Sequence, residues 1–518
     1  MEIPVLERAE VLLNRRAQIV GGIVALCGLI WRLYYGSEFY LNPDEAMHYT
    51  VAADSWHGLI GFYRNATRLF HPPLFIPVLQ GMLIFGRSEW ILRLVPAISG
   101  ALFPWIIALW VQRLTGKVAA LCAQLLLTFS PALIGLSAEV RAYTLAFLFL
   151  SICLLLLEKA LEHGSPCYMA WFHVFLYLAI LTEYCVAWFV ASLGIYALLR
   201  LWTKSASRRL RTTWILGQVG ALTLYGFLYF TQIAKPSSDA GLAGVYSTWL
   251  QQAFPESHEN LLQFALKGTY HQFIFMLQIR LLAVVGAIAF PFGLYRLWRD
   301  KSPLHALLLV LPFCVACVGA IFYLFPYGDT RHTAFLGISI GAVLGTAIAR
   351  VARNRMLPIS IVALPMIFIW NSLAPDSSLT IPRYRHHLSA MHEAVQFLGT
   401  SVPPDSVIVT DVGTDLTLGY YLGCPDYLYD DASEPYRMRQ CARFHFVIAP
   451  TFEFGGMADL RNTLAHIQAK YHLERPVWVA AGGFSNHVAN PVSEGRPFGQ
   501  TMAIFKDSDL PAAPAVGP

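Results

Sequence analysis

Apolar runs long enough to cross a bilayer recur between residues 18 and 373, and that recurrence leaves few folds open. Lipid offers no hydrogen-bond partners, so a chain inside it satisfies its own backbone as helices or as a closed barrel. A helix crossing the ~30 Å hydrocarbon core takes about 20 mostly apolar residues. Eleven candidate runs stand out, near 18–35, 91–112, 118–136, 143–157, 168–181, 184–201, 213–230, 281–297, 304–325, 333–349 and 357–373. Composition agrees: of 518 residues 56% are hydrophobic and only 13% charged, and the mean hydropathy is +0.51. The sequence predicts a polytopic α-helical membrane protein with about 11 transmembrane helices.

The run 72–86 is apolar but short for a crossing and opens on two prolines, so a helix at the outer interface is expected there. With it left out of the spans, every dense basic cluster falls on one side. These are Arg15 with Arg16, Arg113 with Lys117, Lys204 with Arg208, Arg209 and Arg211, Arg296 with Arg299 and Lys301, and Arg350 with Arg353 and Arg355. The positive-inside rule makes that side cytoplasmic. The opposite side then receives the loop 36–90, the turn 137–142, the loop 231–279, the turn 326–332 and everything beyond Asn371. The N-terminal MEIPVLERAEVLLNRR leads into the first run without a small-residue cleavage site, so an uncleaved anchor with a cytoplasmic N-terminus is expected. The net charge of +5 lies in these short clusters and reports topology; nucleic acid is not an expected partner.

After residue 373 the character changes. Pro375, Pro382, Pro403 and Pro404 punctuate the chain, and short apolar runs alternate with amphipathic stretches, which predicts a soluble α/β domain over 374–510. Strands are expected at 407–410, 444–449, 477–481 and 501–505, with helices near 391–399 and 457–471. The Pro/Ala-rich tail 511–518 is expected to be disordered, and 1–373, with the outer loop 36–90, forms the transmembrane module. The nine cysteines show no CxxC, and most lie in apolar runs. Cys424 and Cys441 lie in the polar segment and could pair if it faces an oxidising compartment.

The residues with chemistry fall on the outer side. Asp44 and Glu45 follow Asn42 and Pro43, where acidic residues suit the first turn of a helix, and where a carboxylate could also take a proton from an attacking hydroxyl. His71 precedes Pro72 and Pro73 and reads either as a loop-shaping histidine or as a site residue. Glu139, Arg141 and Tyr143 occupy the outer mouth of two spans, as a structural ion pair or as an anion site. A second outer arginine, Arg331, stands between Asp329 and His332. Two guanidinium forks on the same side as a carboxylate pair suit a phosphate ligand. Glu183 and Tyr184, at a short outer turn, are weaker additions, and the aromatic-rich loop 231–279 either covers a ligand or lies in the interfacial belt.

The order of an Asp-Glu pair, a His-Pro-Pro-Leu, an outer Arg-x-Tyr and an Arg-containing outer turn resembles membrane glycosyltransferases of the GT-C fold. More narrowly it resembles the protein-mannosyltransferase and lipid A aminoarabinose transferase superfamily, a family 39-like bacterial group, over residues 18–373. The resemblance implies an inverting transfer from a polyprenyl-phosphate sugar donor to a lipid, glycan or protein acceptor outside the cytoplasm. It implies Asp44 as the base with Glu45 its acidic neighbour, while Arg141 and Arg331 are candidates for the donor phosphate. His71, Glu139, Tyr143, Tyr184, Asp329 and His332 complete the candidate site. Arg331-His332 departs from the Arg-Tyr of relatives. Some relatives bind a divalent metal; His48, His71 and Asp329 could serve, but their spacing specifies no site and no cofactor is predicted. A transporter or lipid-linked sugar flippase is the alternative, and it would place ionisable groups at mid-membrane, often in repeated halves. A non-catalytic assembly factor, the third reading, would tolerate loss of Asp44. The short loops lean towards a bacterial inner membrane with the C-terminal domain in the periplasm.

Overall fold

The computed structural model describes residues 5–54, 72–203, 206–233, 250–256, 258–300, 302–328, 330–351, 357–373, 388–425, 436–449, 456–473, 477–482, 496–498 and 502–509. Expectations placed on His71, Asp329 and the tail 511–518 lie outside them. The chain divides into two compact units. One comprises Met1–Tyr35, Ala66–Val78 and Arg93–Arg383, and the other Gly36–Asn65, Leu79–Leu92 and Tyr384–Pro518.

In the first unit, seven helices among the described residues are long and apolar enough to cross a membrane. They are Arg16–Ser37, Leu94–Thr115, Tyr143–His163, Tyr184–Thr203, Arg208–Ile233, Arg280–Asp300 and Pro303–Ile321. An eighth span arises if Lys117–Phe129 and Pro131–Ser137, bent by 58°, count as one. The bend has a local cause. Pro131 lacks an N–H and forces Ser130 out of the helical region to φ −54°, ψ 122°. The remaining expected spans form the helices Pro166–Thr182, Leu336–Val351 and Leu357–Leu373, of 17, 16 and 17 residues. They fall short of the span length, so the 11 spans expected from sequence are not reached on length and composition. The run 72–86 contains only the nine-residue helix Phe75–Leu83.

Lipid tails are as apolar as the helices themselves, so close packing of small residues, rather than water exclusion, holds such a bundle. A methyl group at Gly345 would lie 2.7 Å from the Ala119 carbonyl oxygen, and one at Gly100 would lie 2.1 Å from the Ser137 hydroxyl. Gly345 therefore lets two backbones meet, and Gly100 makes room for the Ser137 side chain. One buried polar cluster ties three helices together. Glu158 accepts from Tyr196 at 2.8 Å and pairs with Arg200 and His305 at 3.2 Å each.

The second unit carries a six-stranded sheet built from β1 (Val407–Asp411), β2 (Arg437–Cys441), β3 (Phe444–Ala449), β4 (Trp478–Gly482), β5 (Arg496–Phe498) and β6 (Met502–Lys506), in the order β2-β3-β1-β4-β6-β5. β1 runs parallel to β3 and β4, and the other pairings are antiparallel. Alternate residues feed two apolar layers. Ile408, Phe446, Ala480 and Ile504 pack with Met391 and Leu398 of the helix Leu388–Ser401, and Val409, Val447, Val479 and Phe505 with Leu460, Leu464 and Ile467 of Gly456–Tyr471. The four expected strands appear as β1, β3, β4 and β6, and both expected helices are present. β2, β5 and the helix Val412–Tyr421 were not expected. β2 reads RMRQC, with its buried residue only at the end, and Val412–Tyr421 contains two glycines and β-branched residues that weaken helix propensity. Cys424 and Cys441 form a disulfide with a Cα–Cα separation of 5.4 Å.

Removing Arg200 alone would leave Glu158 charged and poorly paired among the helices. Arg200→Met is expected to cost roughly 3–5 kcal/mol, and Arg200→Met with Glu158→Leu to recover most of it. Thermal melting of the detergent-solubilised protein checks this, and equal loss in both variants would refute it.

Candidate functional site

Two arginines come together at helix ends of the first unit. The bend at Pro131 shortens the second half of its span to Pro131–Ser137, and the chain then turns so that the Arg141 N–H donates to the Glu139 carbonyl at 2.8 Å. Arg141 is 3% exposed. Arg331 opens the one-turn helix Arg331–Thr333. Burial, and then the charge of Arg331, push the Arg141 guanidinium down to about 9. Two like charges in a low-dielectric turn raise each other's energy, which a negative group beside them offsets.

An acid completes the group. Glu183 lies between the helix Pro166–Thr182 and the turn Tyr184–Val186. Burial pushes its carboxyl up to about 7, against the pull of Arg141, the backbone N–H groups of Cys185 and Tyr184, and Arg331. His332 is pushed down to about 3 by burial, then by Arg331 and Arg141, so it is neutral at physiological pH. Its ring meets that of Tyr143 edge to face at 6.3 Å. The Tyr184 hydroxyl donates to Gln232 at the end of the Arg208–Ile233 span.

A helix not expected from sequence braces the Arg331 turn. Leu261–Leu277 starts at Asn260, whose side chain accepts from the Leu262 N–H at 2.9 Å. Its buried Gln272 donates to the Gly328 carbonyl and, at 2.5 Å, to the Thr333 hydroxyl. Thr269 and Tyr327 share a 2.6 Å hydrogen bond. The Asn cap was a legible start signal. Lys267, Thr269, His271 and Gln272 interrupt the apolar run and hid the helix within an aromatic-rich loop.

Asp44, Glu45 and His48 belong to the second unit, in the helix Pro43–Asp54. Asn42 and Glu45 cap it reciprocally. The Asn42 side-chain oxygen accepts from the Glu45 N–H and the Glu45 carboxylate from the Asn42 N–H, both at 3.0 Å. Glu45 is 1% exposed. His48 Nδ1 lies 2.7 Å from the Asp44 carbonyl oxygen. The structure thus groups Arg141, Tyr143, Glu183, Arg331 and His332 in one unit and Asp44, Glu45 and His48 in the other. Among the described residues no three His, Cys, Asp or Glu side chains form a group able to hold a metal ion.

A bundle of membrane-length helices with Arg141, Glu183 and Arg331 at helix-end turns, followed by an α/β domain, has the GT-C fold. Residues 70–230 match the family model described as dolichyl-phosphate-mannose-protein mannosyltransferase. Among solved structures, ArnT from Cupriavidus metallidurans bound to undecaprenyl phosphate is similar with a TM-score of 0.57 at 15% identity, over 96% of this chain and 99% of that chain. Its apo form gives 0.54 at 14%, over 96% and 98%. The archaeal oligosaccharyltransferase AglB from Archaeoglobus fulgidus gives 0.47 at 11%, over 96% and 75%, a likeness too loose to argue from. No curated protein sequence matches the chain.

The raised Glu183 carboxyl makes anion binding depend on pH. Below about 7 the group holds its proton and both arginines act on the ligand; above it a carboxylate competes. Folding stability moves the same way, because a carboxyl raised from 4.5 loses its contribution as pH rises towards 7. Affinity for a lipid phosphodiester, which does not titrate in this range, is expected to fall about tenfold from pH 6 to pH 8. Glu183→Gln flattens that profile. Equilibrium binding of a labelled lipid measures both, and a sloped Glu183→Gln curve would refute the assignment.

Proposed function

We propose that the chain is an integral-membrane glycosyltransferase that moves a sugar from a polyprenyl-phosphate donor to a lipid, glycan or protein acceptor on the extracytoplasmic face. The observation that carries this reading is the pair of arginines, Arg141 and Arg331, held together at helix ends with Glu183 in their field. Arginine forks bind phosphate, and apolar helices around them suit a lipid-linked substrate. The undecaprenyl phosphate bound by ArnT, a protein of similar fold, supports the same donor class.

In this reading the acceptor X–H attacks the anomeric carbon from the face opposite the phosphate. The bond from that carbon to the phosphate oxygen breaks, the configuration inverts, and the proton passes to Asp44. The leaving phosphodiester becomes a phosphomonoester with one more negative charge, and the arginines stabilise that charge as it grows. Glu45 accepts from the Asn42 N–H in the helix cap, and Asp44 is taken as the base on the strength of the family resemblance. His332, neutral, donates or accepts a hydrogen bond without adding charge. His71, Glu139, Tyr143, Tyr184 and Asp329 remain candidates to shape the sugar or acceptor site.

The Cys424–Cys441 disulfide supports an oxidising compartment for the C-terminal domain, and the basic clusters support a cytoplasmic N-terminus. Together they favour a bacterial inner membrane with the α/β domain in the periplasm.

The test is transfer of radiolabelled sugar from a panel of polyprenyl-phosphate donors to a membrane acceptor extract by the purified protein. Asp44→Asn is expected to lower kcat about 10²- to 10⁴-fold with donor binding retained. Arg141→Ala is expected to weaken donor binding about tenfold or more. Absence of transfer from every donor would sink the enzyme reading, and a fully active Asp44→Asn would sink the base.

A further inference from the structure

The helix that carries Asp44 is held by a tyrosine-bearing helix of the C-terminal domain. Tyr40, 4% exposed, is part of the apolar layer under the sheet, packed with Met391, Leu418 and Trp478. The next residue, Leu41, is fully buried, and its N–H donates to the Tyr421 hydroxyl oxygen at 3.0 Å. Then come the cap Asn42 and Pro43. A methyl group at Gly413 would lie 3.2 Å from the Pro43 ring and 3.3 Å from Asp411 Oδ1, so a side chain there would press its neighbours back by a few tenths of an ångström. One turn further, Tyr49 meets the Tyr420 ring edge to face at 4.9 Å, and the Tyr420 hydroxyl donates to the Arg87 carbonyl at 2.6 Å. Upstream, the Leu388 N–H donates to the Glu38 carbonyl at 3.0 Å.

The holding helix is itself fixed at both ends. Asp411 caps its start, accepting from the Thr414 N–H at 2.8 Å and the Thr414 hydroxyl at 2.7 Å. At its far end the Cys424–Cys441 disulfide ties the chain to β2, and Arg439, on β2, binds Asp415 at 2.6 and 3.0 Å and the Cys424 carbonyl at 2.8 Å. Such anchoring exceeds what a tether for a surface loop needs. A base must sit within a fraction of an ångström of its proton, and misplacement by about 1 Å costs on the order of 10²-fold in rate.

We propose that the helix Val412–Tyr421 is a positioning element for the transfer reaction, with Tyr421 and Gly413 setting where Asp44 stands. The soluble domain is thereby part of the catalytic apparatus and not an appendage. This rests on Asp44 being the base.

Tyr421→Phe keeps the ring and removes only the oxygen that accepts the Leu41 N–H. Gly413→Ala favours the helix but presses on Pro43, and Gly413→Ala with Pro43→Ala relieves the pressure. All are assayed in the full-length protein with the labelled polyprenyl-phosphate sugar, alongside Asp44→Asn. Expected are a fall in kcat of about tenfold for each single variant with KM for the donor within about twofold, recovery in the double variant, and faster amide exchange at 41–46 in Tyr421→Phe with an unchanged melting temperature. An inactive Asp44→Asn beside single variants that turn over like wild type overturns this proposal alone. A fully active Asp44→Asn overturns the base assignment and this proposal with it.

Discussion

The constraint on which the first unit depends is that lipid hydrates nothing. Backbone groups must close on themselves as helices, and ionisable side chains must gather at helix ends or in paired clusters. Both outcomes are visible. Glu158, Arg200 and His305 pair with one another between helices, whereas Arg141, Glu183 and Arg331 lie at turns. A turn gives such groups two things that a helix interior does not. The backbone can bring charges from distant parts of the sequence together, and its own N–H groups are left to meet them, as those of Cys185 and Tyr184 meet Glu183.

That gathering also explains why composition says so little about chemistry in a chain like this. Only 13% of residues are charged, yet burial changes what each of them is. Glu183, ordinary as an exposed carboxylate, is balanced near neutrality by burial on one side and guanidinium charge on the other. His332 loses its usual role as a near-neutral switch because two arginines and burial all act against its cation. The arginines thus form the positive pole of the group, with little competition from a neighbouring imidazolium.

Much of this was legible in the sequence, for physical reasons that differ between parts. Long apolar runs announce helices because length and composition alone determine them, and the short continuous apolar runs of β1, β3, β4 and β6 announce strands buried on both faces. Arg141 and Arg331 could be singled out because an arginine beside a membrane span needs a reason. Glu183 carried little weight, since its meaning comes from arginines far away in the chain. The helix Leu261–Leu277 was hidden by Gln272 and its polar neighbours, the same residues that brace the Arg331 turn. Polar side chains that break an apolar pattern in order to support a site will defeat a reading based on pattern. The span count is left unconfirmed for a different reason, because three helices of 16 or 17 residues lie at the limit where length ceases to decide.

Asp44 and Glu45 show the division of labour that adjacency conceals. Side by side in sequence, they look interchangeable, and either could serve as a base. The helix start separates them: reciprocal hydrogen bonds with Asn42 fix Glu45 as the third residue of the helix and bury it, which leaves Asp44 one position earlier and partly exposed. The Glu45 carboxylate accepts from the Asn42 N–H and so holds the helix start on which its neighbour stands. The same cap gives Asp44 a fixed backbone. Pro43 adds to this, because its restricted φ suits the first helical position and its ring is the surface against which Gly413 rests. Asn42, Pro43 and Glu45 thus each have a separate physical task at the helix start.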